Sequence, residues 1–276
     1  KTVVIGGGGL FNDINRSAFL QYVLLICLSK LFFRKVYILG VSVGPLKNSW
    51  MIIALWYVSF LTERVCVRDE SSVKFFRIAE VIPDLAMGAE VFTNRQSDKN
   101  SYEVVISAMS IKASQNNLVQ ESYREELEAL IDYLMVNNTE VSIKLLAMDF
   151  ERDLDDLRSI ENFCLTKSLQ CEIIPALSFE ILEGAFQSCD LVIATRLHAA
   201  ILAQLYECPY MSIAYQEKVS NYMISHGLAR SCATIDANFR FNLHESFKNI
   251  NRDLQEIKTI NFTQKHKLRD FVGEIK

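Results

Sequence analysis

Residues 189–203 read Cys189-Asp190-Leu191-Val192-Ile193-Ala194-Thr195-Arg196-Leu197-His198-Ala199-Ala200-Ile201-Leu202-Ala203. Leu191, Val192 and Ile193 form a short apolar run suited to a buried strand. Residues 199–205 are rich in Ala and Leu and free of Gly and Pro, which predicts a helix. Between them, Thr195 is placed to act as an N-cap, with His198 three positions on in the first turn. A guanidinium and an imidazole thus flank the positive end of a helix, where anions are favoured. In open α/β sheets the crevice beyond the carboxyl ends of the strands is the ligand site. The stretch predicts an α/β fold with an anion-binding edge.

The same alternation extends outward. Upstream, 103–108, 141–146 and 172–174 read as strands, and 121–136, 153–169 and 179–187 as helices. Downstream, 210–213 is a strand and 218–226 a helix, before a charged helical tail over 244–275. In the first third, strands over 2–5, 36–39, 65–67 and 81–82 are separated by helices over 17–33 and 50–61. Another helix, capped by Asp69 with the Ser72 amide aimed back at it, should reach Arg77. Alternating strands and helices predict mainly parallel sheets. The polar run 94–101 reads as a linker, so the expectation is two α/β domains, 1–97 and 98–276, facing one another across a cleft. Lys1 opens the chain within an apparent strand, and the first domain is therefore expected to be incomplete.

Composition narrows the functional classes. A formal net charge of −4 argues against a general nucleic-acid binder, which needs a Lys/Arg surplus. The seven cysteines form no C-x-x-C pair and read as buried reduced thiols, with no metal site expected. Two apolar segments, 18–33 and 50–61, fall short of the roughly 20 residues a spanning helix needs. They are expected to be helices packed in a sheet core.

Candidate site residues lie at strand ends. Gly6-Gly7-Gly8-Gly9 follows the first strand, so Gly8 and Gly9 read either as a tight turn or as a loop that lets a ligand approach the backbone. Asp13 either projects into the same space or helps start the next helix. Arg68, at the carboxyl end of the third strand, either faces the crevice or pairs with Asp69 or Glu70 at the surface.

Six blocks occur in one order: Gly-Gly-Gly-Gly-Leu-Phe-Asn-Asp (6–13), Gly-Val-Ser-Val-Gly-Pro-Leu (40–46), Val-Arg-Asp-Glu-Ser-Ser (67–72), Pro-Asp-Leu-Ala (83–86), Arg-Leu-His-Ala (196–199) and Ile-Ala-Tyr-Gln-Glu-Lys-Val (213–219). Together they resemble the polysaccharide pyruvyl transferase family. The resemblance implies a GT-B-like pair of Rossmann-like domains, acceptor side first and donor side second, with the last helix packing back on the first. It implies transfer of a pyruvyl group from phosphoenolpyruvate to a sugar diol, giving a ketal, with no cofactor beyond that donor.

On the same resemblance Arg196 and His198 line the donor site. Arg196 clamps the anion, and His198 is a phosphate ligand or the general acid. Lys218 is a second cation, an acceptor contact or a solvated lysine, and Asp13 is the candidate base. Gly8, Gly9 and Arg68 complete the expected substrate contacts. Many family members carry an arginine in a Ser-Leu-Arg-Pro-like turn where this chain has Ser107-Ala108-Met109-Ser110-Ile111-Lys112, so Lys112 stands in for it or the donor site is altered. The implied partners are phosphoenolpyruvate and a glycan or lipid-linked oligosaccharide. The implied setting is cytoplasmic, with a peripheral association at the inner face of the membrane. Two competing classes are a GT-B glycosyltransferase using a nucleotide sugar and a non-catalytic relative that binds or scaffolds. No acidic ribose-binding signature supports the former, and the 107–112 departure favours the latter.

Overall fold

A computed structural model describes residues 1–91, 101–111, 117–138, 140–235 and 243–275. Most of the expected linker, and Lys112, lie outside the described residues. The chain divides into two units, Lys1–Ala89 with Thr263–Lys276, and Glu90–Phe262.

In the first unit β1 (Thr2–Gly6), β2 (Lys35–Val41), β3 (Arg64–Val67) and β4 (Glu80–Val81) form a parallel sheet in that order. Helix α1 (Arg16–Leu31) joins β1 to β2, α2 (Ser49–Leu61) joins β2 to β3, and the short α3 (Glu70–Val73) precedes β4. Each crossover steps along the sheet in the same direction, so right-handed connections set α1 and α2 side by side on one face. Phe19 and Ile26 of α1, and Met51, Leu55 and Val58 of α2, are buried with Val36, Ile38, Val41 and Val67 of the sheet.

Two expectations change here. The apolar helices were expected to be enclosed, and only one side of each is. Leu20, Leu24, Leu28, Leu31, Trp50, Ile53, Trp56, Tyr57 and Phe60 are between 43% and 69% exposed. Cys27 of α1 is exposed with them, while Cys66, Cys164, Cys189 and Cys208 are buried. Helix α3 ends at Val73 and not at Arg77. The Asp69 carboxylate does cap the Ser72 amide at 3.0 Å, but it also takes the Ser71 and Ser72 hydroxyls at 2.6 and 2.8 Å. Such local side-chain bonds favour caps and turns over helix continuation.

The second unit carries β5 (Tyr102–Ser107), α4 (Asn117–Asn137), β6 (Val141–Ala147), α5 (Phe150–Thr166), β7 (Gln170–Pro175) and α6 (Phe179–Gln187). There follow β8 (Leu191–Ala194), α7 (Leu197–Leu205), β9 (Tyr210–Ala214), α8 (Glu217–Ser225), β10 (Cys232–Thr234) and α9 (Leu243–Ile275). All six strands are parallel, in the order β10-β9-β8-β5-β6-β7. The chain runs outward from β5 to β7, returns to place β8 beside β5, and runs outward the other way. This is the Rossmann order, and its reversal creates a switch point between β5 and β8. Both strands there are apolar nearly throughout, as in a parallel sheet covered on both faces. The three-residue edge strand β10 has too little pattern to be seen in sequence.

Candidate active site

At the switch point Ser107 pairs with Ala194, and the Thr195 N–H donates to the Ser107 carbonyl at 3.0 Å. The carboxyl end of β5 and the turn leading into α7 are therefore one hydrogen-bonded unit. Arg196, not Thr195, is the N-cap residue of α7, and it makes no side-chain capping bond. The Thr195 hydroxyl is buried and bonded to the Tyr123 hydroxyl at 2.7 Å. Burial holds the Tyr123 phenol well above its ordinary pKa, so it stays a neutral hydrogen-bonding group.

Arg196 is fixed from behind. Its Nη2 donates to Oδ1 of Asp153, a carboxylate with no solvent exposure, in a direct ion pair. The other oxygen, Oδ2, accepts the Asp149 amide at 3.0 Å, so Asp153 is locked at the start of α5. Arg196 Nε and the Ser107 hydroxyl are both buried and without hydrogen-bond partners. Buried polar atoms are almost always paired, so two orphans at the ends of adjoining strands are candidate contacts for a polar ligand. His198 is the one exposed residue of an otherwise buried α7, and sits in its first turn.

The neighbouring strand adds to this edge. Tyr215 follows β9 directly, is 8% exposed, and feels the charges of both Arg196 and Asp153. Burial raises its phenol pKa, and the nearby guanidinium partly offsets that rise. Lys218, exposed in the first turn of α8, holds its Nζ 5.9 Å from the Tyr215 ring centre. Arg196, His198 and Lys218 thus stand at the carboxyl ends of adjacent strands β8 and β9. Asp153 cancels much of the Arg196 charge, and the first amides of α7 keep the end of β8 positive. Behind β5, Gln120 accepts the Ile111 amide at 2.6 Å and donates to Asp156 at 2.8 Å, fixing the segment that leads to Lys112.

Asp13, Gly8, Gly9 and Arg68 are gathered at the equivalent edge of the first unit. Gly7 and Gly8 have φ of 76° and 75°, a backbone region that a glycine enters without strain. The Gly8 carbonyl accepts the Ser42 amide at 2.9 Å, and the Gly9 carbonyl accepts the Asn12 side chain at 2.8 Å. A side chain at Gly9 would meet nothing within 4 Å, so the loop borders open space. Asp13 accepts the Lys47 amide at 2.5 Å and the Asn48 amide group at 2.8 Å, both from the segment before α2. Those two bonds hold its carboxyl below the ordinary range. Arg68 pairs with neither Asp69 nor Glu70. It forms a buried ion pair with Asp84 at 2.7 Å and donates to the Ser42 hydroxyl at 2.6 Å. Ser42 in turn donates to Asp69 at 2.6 Å, so three separated segments are tied into one polar brace.

Residues 1–217 match the family described as polysaccharide pyruvyl transferase. The chain belongs to this family. No curated protein sequence matches it. Among solved structures, a UDP-GlcNAc 2-epimerase from Methanocaldococcus jannaschii has 9% identity over 90% of this chain and 76% of its own, with a TM-score of 0.50. A mutant O-GlcNAc transferase from Thermobaculum terrenum has 9% identity over 99% of this chain and 67% of its own, with a TM-score of 0.44. The likeness to the epimerase is one of fold, and the fold is GT-B-like, with two Rossmann-like units.

For this pyruvyl transferase family chain, the match ends one position before Lys218. Arg196 and His198 were singled out from the sequence; Asp153, Tyr123 and Tyr215, which interact with Arg196 and Thr195, were not. Asp153 carried a signal. It shares its helix face with Leu157, Ile160 and Cys164, all buried, so an acid stands in an apolar stripe.

Proposed function

We infer that the chain transfers a pyruvyl group from phosphoenolpyruvate to two hydroxyls of a sugar, forming a ketal. The observation that carries this reading is Arg196, held by the buried carboxylate of Asp153 with its Nε unpartnered beside the orphaned Ser107 hydroxyl. A guanidinium oriented this way presents a fixed N–H to a carboxylate or phosphate oxygen. Ser107 adds a hydroxyl donor, and Lys218 and the first amides of α7 supply positive potential. Phosphoenolpyruvate carries both anions within one small molecule, which suits donors arranged along adjoining strand ends.

His198 is the general acid in this scheme. It protonates the methylene carbon, and C2 then accepts an oxygen of the first sugar hydroxyl. Phosphate leaves with the C2–O bonding pair, and the second hydroxyl adds to the same carbon. Two hydroxyl protons are released; one balances that given to the methylene and the other leaves with phosphate. Protonated His198 also opposes the negative charge of the donor before transfer.

The test is phosphate release from phosphoenolpyruvate across a panel of glycan acceptors, with UDP-sugars as the competing donor class. His198→Asn should lower turnover by about 100-fold or more, the range for loss of a general acid. Arg196→Lys should raise the donor KM, because an ammonium cannot reproduce the planar fork. Tight UDP-sugar binding with no response to phosphoenolpyruvate sinks this reading.

A further inference from the structure

We propose that the outer face of α1 and α2 docks on an anionic lipid bilayer. This goes beyond pyruvyl transfer and does not depend on it. The two helices lie side by side, the Phe19 ring of one meeting the Trp50 ring of the other edge-on at 5.7 Å. Their outward positions recur at helical spacing, Leu20, Leu24, Leu28 and Leu31 on α1 and Trp50, Ile53, Tyr57 and Phe60 on α2, all exposed. Scattered exposed apolar residues are ordinary, whereas a contiguous apolar face marks an interaction surface. Neither helix can span a membrane: among the described residues no helix is long and apolar enough. A surface that lies in the interface is what the lengths allow.

Two features identify lipid as the occupant. The first is aromatic placement. Both tryptophans of the chain, Trp50 and Trp56, sit on α2 and are 45% and 47% exposed. Tyr57 stands beside them, and Phe32 and Phe33 project beyond α1 at 67% and 96% exposure. Trp and Tyr concentrate at the headgroup level, where an amphipathic ring meets both phases.

The second is charge. Residues 14–62 contain Arg16, Lys30, Arg34, Lys35 and Lys47 and no carboxylate, in a chain whose acids outnumber its bases 33 to 29. Arg77 adds a guanidinium 4.6 Å from the Phe60 ring. Two carboxylates lie at the rim: Glu63 bridges Lys30 at 2.7 Å and lies near Lys35, and Asp13 lies near Arg16 and accepts the Lys47 amide, so six cations there outnumber two acids. A basic border around an apolar face complements anionic headgroups. A second copy fits worse, because a two-fold contact through this face would set the same cations against one another.

The test is co-flotation of the full chain with phosphatidylglycerol/phosphatidylethanolamine vesicles, against pure phosphatidylcholine vesicles. Binding is expected to the anionic vesicles, to weaken as salt is raised, and to shift tryptophan emission to the blue. Leu24→Ser with Ile53→Ser, one exposed residue from each helix, should lower co-flotation at least about ten-fold. Arg34→Glu with Lys35→Glu should do the same without touching the apolar face. Both variants should melt within a few degrees of the parent; if the serine variant does not, the charge variant and the emission shift decide. Absence of anionic-vesicle binding overturns the proposal. So does a parent dimer that the serine substitutions convert to monomer, which assigns the face to contact between copies.

Discussion

Asp153→Asn isolates what the buried carboxylate does for Arg196. Asp153 has no exposed side-chain surface, Arg196 keeps 19%, and the two form an ion pair. Removing one partner of a buried pair costs about 3–5 kcal/mol. The residual exposure of Arg196 lets it turn toward water, which places the loss near the lower end, about 3 kcal/mol. Asn offers one oxygen where Asp153 uses two, for Arg196 and for the Asp149 amide. Its NH2 must then face one of those donors. In a unit of this size each kcal/mol shifts melting by about 2–4 °C, so calorimetry should record a fall of about 6–12 °C. Donor KM should rise more than kcat falls, because the guanidinium loses its aim. Asp153→Leu with Arg196→Met should recover most of the melting temperature but none of the activity, since a well-packed apolar pair can replace a buried ion pair. A single variant melting within about 1 °C of the parent refutes the reasoning. So does an apolar pair that melts no higher than the single variant.

Three further outcomes follow from other contacts. Asp13 has a folded pKa below its ordinary 3.8, so its contribution to stability is complete above that value and is lost as pH falls through the folded one. The melting advantage of the parent over Asp13→Asn should therefore shrink between about pH 4 and pH 2, and an advantage unchanged over that window contradicts the assignment. Tyr123→Phe removes the 2.7 Å bond to Thr195 and should cost about 1–2 kcal/mol in denaturant unfolding; no loss means the Thr195 hydroxyl is satisfied elsewhere. Gly40 has φ of 64°, and a Cβ there would lie 2.7 Å from Leu85 Cγ. Gly40→Ala should cost about 1–3 kcal/mol, and adding Leu85→Ala should relieve the contact but leave the backbone strain. Full recovery in that double variant argues that φ is no constraint.

The alternation of strands and helices was legible because period and punctuation are local. Arg196 and His198 were legible because a strand, a turn and a helix start occupy adjacent positions in the chain. The partners were not, because they come from distant elements. Thr195 looked like a cap by local rules, yet Tyr123 on α4 competes for its hydroxyl. Arg68 looked as if it would pair with an acid next to it, but its partner is Asp84, three positions after β4 and 16 along the chain. Apolar residues all round α1 and α2 read as full burial; sequence cannot say how many faces the fold covers. Asp153 and Gln120 were legible in principle, as polar residues on apolar helix stripes beside Leu157 and Tyr123.

The adjacency of β5 and β8 also governs when the candidate edge comes into being. The Glu103 amide on β5 donates to the Asp190 carboxylate, just ahead of β8, at 2.8 Å and 87 positions along the chain. Closing so long a loop precedes any reward from the contact, and contacts of this separation form slowly. Ser107, Arg196 and Asp153 come together only once that closure is made, so a nascent chain lacking β8 does not have this edge at all. On the proposed function, an anion that binds this edge selects the fully closed sheet and stabilises it by an amount that grows with the logarithm of its concentration.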